Sequence, residues 1–276
     1  MQKKNKGKEL NGWMKIIDIM KNNGALIGMV HCLPLPGAMN YGGSMNAIVE
    51  KAEKDAKALE RAGFDAVLVE PTLDLPSGMA RGQLQIAAMG IICAAVRNTV
   101  RLPMGVSFFT EDCLDMFSIA KASDADFVRV TTFVDTVVFP AGVSYPSANR
   151  VWEARSRYGM KDIAVLADIQ VKHGKMMYPD VQLEESAFFA VRQGADAVIV
   201  TGNATGQETP VEAIQRVKRV SNVPVVAGSG VSPDNVREQM KAADGCIVGS
   251  SIKKDGRLDA PVDEKLAAEI VRKMRG

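Results

Sequence analysis

Two histidines occur in 276 residues, and both stand where an apolar run gives way to polar ones. His31 closes "GALIGMVH", and His173 follows "AVLADIQVK". The second run places Asp168, Gln170 and Lys172 at alternate positions, which share one face if the strand stays extended. Asp and His are the usual carriers of protons near neutral pH, and a neighbouring cation stabilises negative charge as it develops. Glu70 ends "AVLVE", with Asp74 in the loop beyond it, and Arg129 lies within "DFVRVTT" beside Thr131 and Thr132. A buried carboxylate needs a partner, and Arg129 is the candidate for Asp168. Two readings stand for that pair: a structural ion pair, or a functional one in which Asp168 is a general base or an orienter of Lys172 or His173. Glu70 is either a rim salt bridge or a second carboxylate in the same bowl.

Anion chemistry is suggested elsewhere. Two later apolar runs end in glycine and serine: "VVAGSGVSPDN" carries Gly228, Ser229 and Gly230, and "CIVGSSIKKDG" carries Gly249, Ser250 and Ser251. Bare backbone lets amide groups approach a phosphate, and a helix start adds favourable partial charge. Ser232 is expected as an N-cap with Pro233 as the first helical residue. "AVIVTGNATG" supplies a third such segment, with Thr201, Gly202, Asn203, Thr205 and Gly206. The plainer alternative is that these glycines only permit tight turns. No short ligand spacing points to a metal; Glu70, Asp168 and the histidines are the residues a divalent ion would use. No cofactor is expected.

The elements that must position these residues follow from a repeat. "RAGFDAVLVEP", "KASDADFVRV", "RQGADAVIVTG" and "KAADGCIVGS" share a helical end, a small residue, Asp and a β-rich run. Between them lie "GALIGMVHCLP", "RLPMGVSFF", "KDIAVLADIQV" and "SNVPVVAGSG", apolar enough for parallel strands covered on both faces. Helical periodicity fills the gaps: residues 47–63 set Ile48, Ala52, Ala56 and Leu59 on one stripe. Eight strands alternating with helices predict a single (β/α)8 TIM barrel over residues 24–276, preceded by a basic tail and short amphipathic capping helix over 1–23. In that architecture the site lies at the C-terminal strand ends, which is where the residues above fall.

Composition narrows the partners. Thirty-four basic and 32 acidic residues leave a net charge of +2, which gives no basis for nucleic-acid binding. The four cysteines form no CxxC pair and read as buried apolar residues in a reducing cytoplasm. No run approaches a membrane span, and the start of the chain lacks a secretory signal. "GWMKIIDIM" leaves open a contact with a membrane surface or partner, and a homo-oligomer is left open too.

The ordered set "IGMVHCLPLPG", "AGFDAVLVE…DLP", "ADIQVKHG", "GADAVIVTGNATG" and "VAGSGVSPDNV…ADGCIVGSSIKKDG" resembles the BtpA/SgcQ family from about Ile27 onward. That resemblance implies a TIM barrel of the ribulose-phosphate-binding type. The family is named for a photosystem I biogenesis factor, also has members in organisms without photosynthesis, and includes proteins that look like sugar-metabolism enzymes. Two functions are therefore expected. One is an enzyme, an isomerase or a lyase or transferase, that binds a small phosphorylated metabolite and rearranges or cleaves it by acid/base chemistry. The other is a non-enzymatic biogenesis factor acting through protein partners or a membrane surface.

Overall fold

The computed structural model describes residues 12–76, 82–110, 112–202 and 206–276. The first eleven residues, with most of the basic tail, lie outside the described residues, as do Asn203 and Thr205. In chain order the elements are α1 (Gly12–Asn23), β1 (Ala25–His31), α2 (Met45–Ala62), β2 (Ala66–Glu70), α3 (Gln83–Thr99), β3 (Met104–Val106), α4 (Cys113–Ala122) and β4 (Phe127–Val130). Then come β5 (Val137–Phe139), β6 (Gly142–Ser144), α5 (Ala148–Arg157), β7 (Ala164–Ile169), β8 (Lys175–Met176), α6 (Leu183–Arg192) and β9 (Ala197–Val200). The chain continues through α7 (Val211–Val220), β10 (Val225–Ala227), α8 (Val236–Ala242), β11 (Gly245–Val248) and α9 (Glu264–Arg275).

Each apolar run becomes a strand because both of its faces have somewhere apolar to go. Strands β1, β2, β3, β4, β7, β9, β10 and β11 close in that order into a parallel barrel, with β11 pairing back onto β1. The fold is a (β/α)8 barrel. One face of the strands fills the barrel with Ile27, Met29, Leu68, Phe127, Leu166 and Ile199, all buried. The other face packs against the helices; on α2 the stripe Ile48, Ala52, Ala56 and Leu59 is buried as its spacing requires. Ser44 caps the start of α2 by accepting from the Ala47 amide, and Gly63 ends it in the left-handed conformation at φ 91°.

The repeated aspartates have a mechanical role. Asp65 Oδ2 accepts from the Leu26 amide at 2.9 Å, and Asp126 Oδ2 accepts from Met104 at 2.8 Å. Asp196 accepts from Val165 and Asp244 from Val225, each at 2.8 Å. In every case the residue before one strand reaches back to the start of the strand preceding it, so each βαβ unit is stitched at its N-terminal end. Each aspartate also holds a cation: Arg275, Arg97, Arg155 and Lys218 respectively. Beneath the same end of the barrel, α1 inserts Ile16 and Met20 into the interior cluster, 0% and 2% exposed.

At the opposite end β5, β6 and β8 form a small antiparallel sheet in the order β6–β5–β8. No apolar run or alternation in the sequence points to it.

Candidate active site

The C-terminal ends of the barrel strands surround a cavity of about 510 Å³. Register brings its floor together. His31 and Glu70 are paired at the ends of β1 and β2, and Arg129 sits beside Leu166 in the β4–β7 pair, two residues before Asp168. Arg129 donates from Nε to Asp168 Oδ2 at 2.8 Å and from Nη2 to Asp168 Oδ1 at 3.0 Å. Its Nη1 lies 3.8 Å from Glu70 Oε2. Burial works against the guanidinium charge, but the two carboxylates more than offset it and Arg129 is held more firmly charged than usual.

The two carboxylates differ in access. The Asp168 side chain is 0% exposed and both oxygens are engaged by Arg129, whereas Glu70 is 21% exposed and lines the cavity. Thr72 Oγ1 donates to Glu70 Oε1 at 2.6 Å. Burial tends to raise the Glu70 pKa; the charges of Arg129 and His31 and hydrogen bonds from Ser107 and Thr72 outweigh it and hold Glu70 below the ordinary range.

His31 is pushed down from 6.5 to about 4, chiefly by burial, with Glu70 pulling the other way. Its ring is therefore neutral at physiological pH, and among the described residues its buried Nδ1 has no hydrogen-bond partner. Behind it, Lys51 Nζ donates to the His31 carbonyl at 3.0 Å and to Asp55 at 2.8 Å. Asp55 also accepts from the Val262 amide and faces Lys253 at 3.5 Å, tying α2, the end of β1 and the segment after β11 together.

The sequence-based strand face across Asp168, Gln170 and Lys172 does not form. β7 ends at Ile169, and Gln170 turns into the left-handed region at φ 46°. Asp135 holds the Gln170 amide at 2.7 Å, and the Gln170 side chain points to Val181 and Ser186 instead of the cavity. Lys172 and His173 still reach the cavity wall from the loop, Lys172 with its amide on Thr201 Oγ1 at 3.0 Å. Burial lowers the pKa of both, helped by Arg129 at Lys172 and by Lys172 at His173.

The glycine–serine segments divide similarly. Gly206, Gly228, Ser229, Gly230, Gly249 and Ser250 line the cavity. Thr201, Gly202 and Ser251 do not: Gly202 donates its amide to Ser229 Oγ, and Ser251 donates to the Val231 carbonyl. Gly230 has φ 68°, and a Cβ there would lie 2.3 Å from the Gln207 backbone, so packing alone demands glycine. At Gly249 φ is −128°, outside the left-handed region, and a Cβ would lie 3.2 Å from the His31 ring and 3.4 Å from Met29. The expected helix start is displaced: α8 has seven residues and Asn235, not Ser232, is its N-cap. Ser232 Oγ instead takes the Asp234 amide in the turn before it. Among the described residues no three His, Cys, Asp or Glu side chains are grouped to hold a metal ion.

With this geometry fixed, the comparisons bear on identity. The model of the BtpA family matches residues 22–276. The chain belongs to the BtpA family. Its BtpA-family relatives include an uncharacterized protein of Pyrococcus furiosus, 38% identical over 94% of this chain and 97% of that one. They also include the photosystem I biogenesis protein BtpA of Synechocystis, 30% identical over 91% of this chain and 88% of that one. Among solved structures, the barrel is similar to (S)-3-O-geranylgeranylglyceryl phosphate synthase from Thermoplasma acidophilum in complex with sn-glycerol-1-phosphate. The TM-score is 0.64 at 16% identity, covering 95% of this chain and 98% of that one. A tryptophan synthase chain from M. tuberculosis gives a TM-score of 0.63 at 19% identity, covering 98% and 100%. At these identities the likeness shows the fold.

Several cavity residues escaped the sequence reading. Ser107 and Thr72 lie one or two residues beyond strand ends, where a hydroxyl has no periodic signal. Asp55 was findable, as a carboxylate beside the apolar stripe of α2 and four residues after Lys51.

Proposed function

We propose that this BtpA-family barrel is an enzyme of proton-transfer chemistry on a small phosphorylated molecule, an isomerisation or a bond cleavage. The observation that carries the reading is one cavity with two chemically distinct sides: glycine–serine segments at Gly228–Gly230 and Gly249–Ser250, and the Glu70–Arg129 ion pair with Lys172 beside it. The Gly228 amide is taken by the Val200 carbonyl at 2.8 Å, so the remaining amides of these segments and the Ser229 and Ser250 hydroxyls receive the phosphate. Glu70 is the accessible carboxylate and serves as the general base. Arg129 and Lys172 stabilise negative charge developing on the substrate. Asp168, with both oxygens engaged, positions Arg129; this replaces its sequence-based role as base. His31 and His173 are neutral rings at the wall that accept or relay a proton.

Thermal-shift measurements against inorganic phosphate and a panel of phosphorylated metabolites test this directly. A ligand near 100 times its dissociation constant should stabilise the protein by about 2.7 kcal/mol. The expected hit disappears in Gly249→Asp and persists in Glu70→Gln, which binds without turnover. Absence of any hit, or a hit indifferent to Gly249→Asp, overturns the reading.

A second reading, action through a protein partner, is favoured by one observation. Trp152, Phe188 and Phe189 on α5 and α6 are 49%, 46% and 46% exposed. Exposed large aromatics are typical interface anchors. Together with the name of the Synechocystis relative, they support the biogenesis alternative. Sedimentation of the chain alone and with cell extract, compared with Phe188→Ser, separates the two.

A further inference from the structure

The wall opposite the glycine–serine segments carries two aromatic rings. Around the ring β1–β2–β3–β4–β7–β9–β10–β11, the third and fourth strands stand across from the seventh and eighth. Phe109 follows β3, and Phe139 ends β5, the first strand after β4. These two therefore face Gly228–Gly230 and Gly249–Ser250 across the cavity, and all of them line it.

The aromatic pair is held in place. The rings of Phe109 and Phe139 meet edge to face, with centroids 5.3 Å apart and planes at 69°. Phe139 rests on bare backbone: a Cβ at Gly174 would lie 2.9 Å from its ring and 2.1 Å from Val137. The β5–β8 pairing brings Val137 opposite Met176 and fixes the hairpin that carries the ring. Pro140 and Ala141 at the hairpin tip and Val171 continue the same wall. Phe109, Phe139, Pro140, Ala141 and Val171 offer neither charge nor hydroxyl to the cavity, while Ser107 and Thr131 line it directly after β3 and β4.

That composition discriminates. A ribose or glycerol body placed against those five residues would take its hydroxyls from water and leave those beyond the reach of Ser107 and Thr131 without side-chain partners, which costs free energy for each. A flat apolar body would bury its surface against two fixed rings. Resting on the phosphate reading above, we propose that the substrate is a phosphate monoester with a flat, apolar body. Its phosphate lies on the segments after β10 and β11, and its ring lies against Phe109 and Phe139. The reacting carbon falls between them, over Glu70, Arg129 and Lys172. The small phosphorylated metabolite expected from the sequence is thereby narrowed to an ester with few free hydroxyls.

Isothermal titration calorimetry of the full chain with inorganic phosphate, glycerol 3-phosphate, ribose 5-phosphate and phenyl phosphate tests this. Phenyl phosphate is expected to bind at least about tenfold tighter than either polyol phosphate, from burial of one ring on an aromatic pair. Phe139→Ser, and independently Phe109→Ser, should erase that preference while leaving inorganic phosphate affinity unchanged. Polyol phosphates binding as tightly as phenyl phosphate, or a preference that survives both substitutions, overturn the proposal while the phosphate site stands. Failure of all four probes overturns it together with the phosphate reading.

Discussion

Arg129 is the pivot of the site, and its surroundings can be tested one residue at a time. Asp168→Ala leaves a buried guanidinium with only Glu70 at 3.8 Å for company, and loss of one partner of such a pair should cost about 3–5 kcal/mol in urea unfolding. Arg129→Met combined with Asp168→Leu should recover much of that stability, since neither charge is then stranded. Equal destabilisation in the single and double variants would show that the pair is not the source. His31 makes a pH prediction. Its folded pKa near 4 lies below the ordinary 6.5, so the unfolded chain binds the proton more readily in between. Stability from this group is complete above pH 6.5 and is lost as pH falls toward 4, by about 3 kcal/mol in all. The stability difference between wild type and His31→Gln should follow that curve; a difference flat from pH 7 to 4 would refute the assignment. Glu70, Arg129 and His31 were legible in the sequence because each sits at the end of an unambiguous apolar run. The geometry of Lys172 was not, because no glycine or proline marks the break at Gln170; the left-handed turn there is imposed by Asp135, thirty-five residues away.

Among elements, the stitched pairs are the repeating unit. The aspartate of each repeat was visible in the sequence, while its partner was not, since the amide it binds lies 19 to 39 residues earlier. Asp126→Ala removes acceptance from the Met104 amide and from Arg97, and should lower unfolding free energy by about 2 kcal/mol. Asp126→Asn keeps one acceptor and should lose less. Because the stitch lies at the far end from the cavity, ligand affinity should hold in both variants; a matching loss of affinity would mean the barrel transmits strain from base to mouth. The eight barrel strands could be read because long apolar runs bounded by glycine and aspartate have few other uses. The β5–β6–β8 sheet could not, because its two- and three-residue strands lie outside such runs. Yet that unread sheet carries Phe139, so the part of the site that selects the ligand body was the part least visible in advance.

For the molecule as a whole, four thiols report on integrity. Cys32, Cys93, Cys113 and Cys246 are all buried, and burial raises every one, Cys32 and Cys113 to about 12. A native sample should therefore leave all four unlabelled by an aromatic disulfide reagent over minutes, while a denatured sample yields all four. Rapid labelling of any thiol without denaturant would show that the barrel opens locally. Closure of the barrel carries a consequence for how the protein is made. The strand that seals the ring, β11, pairs with β1, more than two hundred residues earlier. Gly249 and Ser250, one of the two segments proposed to receive phosphate, come directly after it. On the ribosome, then, no binding pocket exists while the first seven barrel strands emerge, and a nascent chain released early has nothing with which to hold a metabolite. Ligand capture becomes available only to chains that have passed this last step, so occupancy itself separates finished molecules from aborted ones.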